Sequence, residues 1–278
     1  MMLKNRLAGF ALVLIVSGVS TAAAQSSLVD ALARHGVPVK SGGFDAAFDA
    51  HVEPTTPVTP GSFAAPLALL TTGTGSDQVA AAYTFGILAG RSGRAASPQE
   101  LAAAGQALTV MIGSADRNAR IAGARVAGRV FAAPFDRSGI RPVVPAGMTE
   151  AIFALLNQDR EIDQLAAMDA LGLLRDASAV ASLTERYRFY REASQRGLAG
   201  GALEALARIG DPATTEIVRQ LTGDKWASGK DATALAVAFA RERLLKDGSI
   251  TVIQQALDDK SRRGQARGYL AELGAPVP

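Results

Sequence analysis

Cysteine is absent from this chain of 278 residues, and histidine occurs only twice. Without thiols the chain cannot form disulfides, use a cysteine nucleophile or bind zinc through cysteine. His35 and His51 both lie in a stretch rich in proline and glycine, where no rigid element would hold a catalytic triad or a histidine metal site. We therefore predict exposed or lightly packed histidines, and we assign no catalytic residue, metal site or cofactor.

Aromatic residues are scarce, at 5% of the chain, whereas 48% of the residues are hydrophobic. The many alanines and glycines suit closely stacked helices with small contact residues. The net charge is +3 from 29 basic and 26 acidic residues, and without Lys4 and Arg6 of the predicted signal peptide 27 basic residues remain, a net charge of +1. Such a near-neutral balance excludes a dedicated nucleic-acid-binding protein, whose surface is strongly basic.

Residues 1–24 have the features of a secretory signal peptide. Lys4 and Arg6 precede an apolar core at Leu7–Val19, and Ala22–Ala24 offers a cleavage site before Gln25. The core is shorter than the roughly 20 residues that a membrane-spanning helix needs. We predict a periplasmic or secreted protein with no integral membrane segment after cleavage, and the alternative is an uncleaved anchor or a buried first helix.

Residues 25–62 are predicted to be an irregular N-terminal segment, followed by a helical repeat domain at residues 63–278. Ser26–His35 has the pattern of one short amphipathic helix. The proline- and threonine-rich run Val52–Pro60 predicts an extended, semi-rigid linker. An ordered loop packed on the first repeat is the alternative.

The repeat is clearest in Ser194–Asp224, which predicts two short antiparallel helices joined by a tight turn. Apolar residues spaced three and four apart form one helix face: Leu198, Ala202, Ala205, Leu206 and Ile209. Ser194 is placed as the N-cap and Gly210 as the end of the first helix, and Pro212 opens the second. An earlier helix is predicted from Pro98 to Ile112.

Copies of this unit occur on both sides. At a constant offset of 35 residues, the positions of the second copy are Ala167, Ala170, Leu171, Leu174 and Asp176. Weaker copies include Ala124 upstream and Tyr269 downstream. Because a single hairpin cannot bury both of its apolar faces, neighbouring copies must cover them, as in an α-solenoid.

The pattern Ala-x-x-Ala-Leu-x-x-Ile-Gly-Asp at Ala202–Asp211, echoed at Ala167–Asp176, resembles HEAT repeats of the short bacterial type. By the repeat pattern the resemblance extends over Ser76–Gly274. We predict an all-α, right-handed α-solenoid of about five antiparallel helical hairpins. The resemblance implies a binding scaffold, although HEAT repeats also occur in bilin lyases, and no active-site residue of that family maps onto this chain.

The candidate binding surface is centred on Glu185–Glu192, where three arginines alternate with three aromatic residues. Aromatic and arginine side chains are the common hot spots of protein interfaces. In HEAT-like arrays the second helices line the concave face. The predicted contact residues are Arg186, Tyr187, Tyr190, Arg191 and Arg219. Alternatively, the tyrosines pack against the neighbouring hairpin and the arginines are solvated.

Two short motifs are set aside. Gly73-x-Gly75 lacks the third glycine and the preceding strand of a dinucleotide-binding loop. Asp159, Glu161 and Asp163 alternate as in a calcium loop, but the required glycine is missing. These carboxylates are instead predicted to lie at the first turn of a helix, where they complement the helix dipole.

The function predicted from the sequence is that of an exported, non-enzymatic scaffold that binds a protein or peptide on its concave face. One alternative is an accessory or catalytic protein of the bilin-lyase-like type, which clustered ionisable groups in a concave pocket would favour. The other is a structural envelope component that self-associates.

Overall fold

A computed structural model describes residues 22–39, 43–59, 61–134, 141–221, 226 and 231–277. This part of the chain is helical and contains no β-strand, so the prediction of an all-α protein is confirmed. Most of the predicted signal peptide, residues 1–21, lies outside the described residues. Within the described ranges, no helix combines the length and apolar character needed to cross a membrane.

Fourteen α-helices lie in the described residues. In chain order they are α1 (22–33), α2 (Gly43–Asp49), α3 (Ala64–Thr72), α4 (Gly75–Ala89), α5 (Pro98–Ile112), α6 (Arg117–Val130), α7 (Met148–Leu156), α8 (Glu161–Leu174), α9 (Val180–Glu192), α10 (Arg196–Ile209), α11 (Pro212–Arg219), α12 (Ala232–Leu245), α13 (Ile250–Gln255) and α14 (Arg263–Glu272).

Local sequence determines several helix ends. Helix α5 has the predicted bounds, because Ser97 accepts a hydrogen bond from the Glu100 amide while the Glu100 carboxylate accepts one from the Ser97 amide. Asp211 caps α11, whose first residue is Pro212, as the predicted turn required. The N-cap predicted at Ser194 is wrong. Ser194 has a left-handed backbone (φ 57°) and Gln195 occupies the N-cap position.

Helices α4, α6, α8, α10 and α12 form a row in which each helix packs against the next. Glycines allow the close approach: a Cβ atom added at Gly172 of α8 would lie 2.7 Å from the Cα atom of Ala205 in α10. At Gly128 of α6 the corresponding distance to the Cα atom of Ala170 in α8 is 2.8 Å. This row of packed neighbours is compatible with an α-solenoid.

The antiparallel partners within the array differ from the predicted hairpin. Helix α10 packs extensively along the preceding helix α9, and α8 packs along α7. In contrast, α10 has few contacts with α11, its predicted hairpin partner. The Gly210-Asp211-Pro212 turn therefore joins two helices that are supported mainly by other neighbours.

The N-terminal segment is packed on this array. Leu28 and Leu32 of α1 are fully buried, and Val52 and Val58 pack against the core. The Thr55 amide donates to the His35 carbonyl at 2.9 Å. These contacts favour the ordered-loop alternative over a linker for the described residues of the run. His35 is 9% exposed, so the prediction that it is exposed or lightly packed is wrong.

Candidate functional site

Three neighbouring helices of the row contribute lining side chains at matching positions. Helix α6 has Arg125 and Arg129, α8 has Asp169 and Leu173, and α10 has Glu204 and Arg208. In each helix the two residues are four apart and share one face. The pairs in α8 and α10 also obey the 35-residue repeat offset. The helical repeat therefore places these side chains side by side.

These side chains form one wall of a pocket of about 630 Å³, which we call the terminal pocket. The other walls come from the stretch after α2, from the turn after α4 and from α14. Six arginines and five carboxylates line it: Arg91, Arg94, Arg125, Arg129, Arg208 and Arg267, with Asp49, Glu53, Asp169, Glu204 and Glu272. The pocket thus lies where segments from both ends of the described chain meet the helix row.

Arg208 is the centre of a cluster of ion pairs at the base of the terminal pocket. Its guanidinium lies 2.6 Å from Asp169, 2.6 Å from Glu204 and 2.8 Å from Glu272, measured between nitrogen and oxygen atoms. Arg91 lies 3.2 Å from Glu272 as well. Because α8, α10 and α14 each contribute a carboxylate, the Arg208 cluster ties three helices together.

The two glutamates of this cluster have opposite pKa shifts. Burial would raise the pKa of Glu272, but the charges of Arg208 and Arg91 outweigh it and lower the pKa to about 2. Burial raises the pKa of Glu204, and the charge of Arg208 opposes that effect only in part. Glu272 is thus the firmly ionised partner of Arg208.

Tyr269 fixes α14 against the row. Its hydroxyl donates to Glu204 at 2.6 Å and accepts from the Gln265 side-chain amide at 2.7 Å. Its ring stacks on Phe239 of α12, with the centroids 4.3 Å apart. Tyr269 is buried, with 1% of the residue exposed. Burial and the charge of Glu204 keep the pKa of Tyr269 well above its usual value, so this hydroxyl remains a donor.

The end of α2 and the residues after it lie between α6 and α14. Asp49 forms an ion pair with Arg125, and the Phe48 carbonyl accepts from Arg129 at 3.0 Å. On the other side, a Cβ atom added at Gly264 of α14 would lie 3.4 Å from the Asp49 carbonyl oxygen. The end of α2 thus lies in van der Waals contact with α14.

His51 lies on the same stretch and keeps an exposed face, as predicted. Enclosure of its ring by the pocket walls and the positive charge of Arg129 lower the pKa of His51 to about 4. The imidazole is therefore neutral at neutral pH. His51 adds hydrogen-bonding capacity to the pocket without adding charge.

The predicted contact residues lie elsewhere, on α9 and α11, and none of them lines the terminal pocket. Tyr187 and Tyr190 are 4% and 3% exposed, so they are packing residues and not available contacts. Arg186 donates to the Tyr190 hydroxyl at 3.0 Å, and Arg191 donates to the Tyr187 hydroxyl at 2.9 Å. Arg219 is exposed and pairs with Glu216 on its own helix, 3.0 Å away.

Two further aromatic residues, Trp226 and Phe189, lie at or near α9 and differ in exposure. Trp226 is buried, with the guanidinium groups of Arg191 and Arg196 at 5.4 and 5.0 Å from its ring centroid. Phe189 is 63% exposed. The alternative in which the tyrosines pack against the neighbouring hairpin thus describes α9 better than a row of five contact residues.

The acidic run at the start of α8 is structural. Glu161 and Asp163 lie in the first turn, as predicted, whereas Asp159 precedes the helix and the prediction for it is wrong. Asp163 is buried beside Arg120 at 3.4 Å. Among the described residues, no group of three histidine, cysteine or acidic side chains is placed to hold a metal ion.

The terminal pocket was missed at the sequence level. One signal was present, because Asp169 and Glu204 are separated by the same 35 residues as the apolar repeat positions. The partners from α14 and from the N-terminal segment have no such periodic signature.

Comparisons of the chain with models of protein families, with curated proteins and with solved structures found no match.

Proposed function

We propose that this chain is an exported, non-enzymatic scaffold that binds a protein or peptide, and that the terminal pocket is its binding site. In this proposal the helix row belongs to a right-handed, HEAT-like α-solenoid of about five hairpins, and the terminal segments complete a concave surface. The observation that carries the proposal is a pocket of about 630 Å³ lined by charged side chains from three repeats and both terminal segments. Its volume is in the range of ordinary ligand pockets.

Clustered ionisable groups are also the feature that would favour the catalytic alternative. The opposite pKa shifts of Glu204 and Glu272 resemble those of an acid–base pair. However, both carboxylates already bind Arg208, so a substrate would have to displace that guanidinium to reach them. The cluster is better suited to holding α10 and α14 in place, and binding is the function that we favour.

Affinity capture from an envelope extract tests the proposal. The bait is the protein purified after expression of the full sequence, alongside the pocket variant Arg94→Gln/Arg267→Gln and the matched surface variant Arg188→Gln/Arg219→Gln. All four arginines are exposed, so each variant removes two charges at little cost to folding.

We expect at least one protein to be retained by the wild type and the surface variant and to be lost with the pocket variant. Retention of the same proteins by all three baits would contradict the proposal. A mass that rises with concentration in light scattering, with no protein retained, would favour the self-associating alternative.

A further inference from the structure

We propose that the terminal pocket is a carboxylate-binding site, in which Arg94, Arg129 and Arg267 receive a carboxylate group of a bound peptide. The inference rests on the proposed binding function and specifies the chemistry that the pocket recognises. It depends on which charges of the pocket are already paired.

Four of the five carboxylates in the pocket lining have a guanidinium partner. Asp49 pairs with Arg125, and Asp169, Glu204 and Glu272 all pair with Arg208. Arg91 also pairs with Glu272, so these four carboxylates are held by three guanidinium groups of the lining itself. Glu53, which is exposed, is the remaining one.

Three arginines of the lining are in the opposite situation. Within the described ranges, no carboxylate oxygen lies within 4.0 Å of Arg94, Arg129 or Arg267. Arg94 donates to the Arg91 carbonyl at 3.3 Å, and Arg267 is exposed. Against the single carboxylate of Glu53, the pocket therefore offers an excess of positive charge to a ligand.

Arg129 is the strongest indication of an anionic ligand. It is 7% exposed, and its guanidinium lies 4.7 Å from the centroid of the Phe48 ring. Arg129 lies on α6 in the pocket wall, where one of its guanidinium nitrogens donates to the Phe48 carbonyl. Burial lowers the pKa of Arg129, and the charges of Glu53 and Asp49 oppose that shift only in part, so burying this cation remains costly. An incoming carboxylate would remove part of that cost through charge-assisted hydrogen bonds.

The pocket's own contacts indicate a carboxylate in particular. Arg125 and Arg208 already hold carboxylates that come from other elements, Asp49 at the end of α2 and Glu272 at the end of α14. Leu173, Ala271 and Val277 add apolar surface to the lining, on which small aliphatic parts of a peptide can pack. The pocket therefore offers both a charged and an apolar surface to a short peptide segment.

Arginine Nε–Hε NMR signals give a direct test, with the signals of the three arginines assigned from single Arg→Lys variants. The probes are acetyl-trialanine with a free C-terminal carboxylate, the same peptide as its C-terminal amide, acetyl-Asp-Ala-Ala amide and inorganic phosphate. We expect saturable shifts of the Arg94, Arg129 and Arg267 signals with a carboxylate peptide and none with the uncharged amide.

The first and third probes distinguish a terminal carboxylate from a side-chain carboxylate, and binding of either supports the inference. Equal shifts with the uncharged amide, or binding of phosphate alone, would overturn it. So would a failure of both carboxylate peptides to move the three signals.

The variants of the capture experiment provide the matched comparison. Loss of two charge-assisted contacts in Arg94→Gln/Arg267→Gln should weaken binding of the carboxylate peptide by about tenfold or more. Arg188→Gln/Arg219→Gln, which removes the same charge from α9 and α11, should leave the affinity unchanged. Equal affinity in both variants would contradict the assignment of these arginines.

The two proposals can fail separately. If no carboxylate peptide binds, yet a captured protein is still lost with the pocket variant, the carboxylate inference is wrong and the binding function stands. If the peptides bind through the pocket but capture is the same with every bait, the proposed function is wrong.

Discussion

Arginine side chains make different kinds of contact in two regions of this molecule, helix α9 and the terminal pocket. On α9, Arg186 and Arg191 each donate to a tyrosine hydroxyl four residues away on the same helix. In the terminal pocket, Arg208 pairs with Glu272, which is 64 residues away in the chain. The first region is recognisable in any short window of sequence. The second exists only after folding.

The difference shows that composition alone does not identify a binding surface. The aromatic residues of α9 looked like interface hot spots, but two of them are buried and their hydroxyls bind neighbouring arginines. The distinguishing feature of the pocket is how its charges are paired. The following four predictions test this contrast, from the largest expected effect to the smallest.

Replacement of Arg208 by methionine should give the largest loss of stability. It leaves Glu204 buried without a cation and Glu272 with Arg91 alone, which costs about 3–5 kcal/mol. The control is Arg219→Met, which breaks the exposed pair with Glu216 and should change the free energy of unfolding by about 0.5 kcal/mol or less. Urea denaturation measures both. Similar losses in the two variants would contradict the structural role of the Arg208 cluster.

Acid should weaken the same cluster through Glu272. Its pKa falls from 4.5 to about 2 on folding, so its contribution is complete above pH 4.5 and is lost as the pH falls towards 2. The shift corresponds to about 3 kcal/mol at neutral pH. Glu272→Gln imitates the protonated group, so the wild type should be more stable at pH 7 and equal to it near pH 2. A difference that does not change with pH would oppose this account.

The spacing of the pocket wall depends on the contact between α8 and α10. Gly172→Ala places a Cβ atom 2.7 Å from the Ala205 Cα atom and should destabilise the protein by about 2 kcal/mol. In Gly197→Ala, on exposed α10 surface, the new atom approaches only a flexible carboxylate oxygen of Glu161. That control should be neutral or slightly stabilising. Thermal unfolding compares the two variants. Equal melting temperatures would contradict the close packing of α8 against α10.

Tyr190→Phe should give the smallest effect, because it removes only the two hydrogen bonds of one hydroxyl group. The hydroxyl accepts from Arg186 at 3.0 Å and donates to Gln164 at 2.9 Å. Their loss should cost about 1 kcal/mol in urea denaturation and should leave partner capture intact. Loss of capture without loss of stability would indicate that α9 forms the binding surface.

The sequence predicted the helical class and those helix ends that depend on neighbouring residues. The bounds of α5 and the caps around Pro212 follow from side chains within a few positions. The pairing of α10 with α9 could not be read from the unit Ser194–Asp224, because it depends on packing with a helix before that unit. Burial of His35 depends on a loop that begins after residue 50, which local pattern does not describe.

The candidate site was less predictable than the fold for the same reason. Periodicity brings Asp169 and Glu204 together, since they occupy equivalent repeat positions. Nothing in the sequence pattern indicates that Glu272 and Asp49 reach this wall from α14 and from the N-terminal segment. Long-range ion pairs of this kind are specified by the completed array.

The most direct test is an NMR titration of the protein with a purified captured partner, observed at the arginine Nε–Hε signals. The account predicts that the signals of Arg94, Arg129 and Arg267 shift, whereas those of Arg186, Arg188 and Arg219 do not. Shifts confined to the arginines of α9 and α11 would contradict it and would place the binding surface on those two helices.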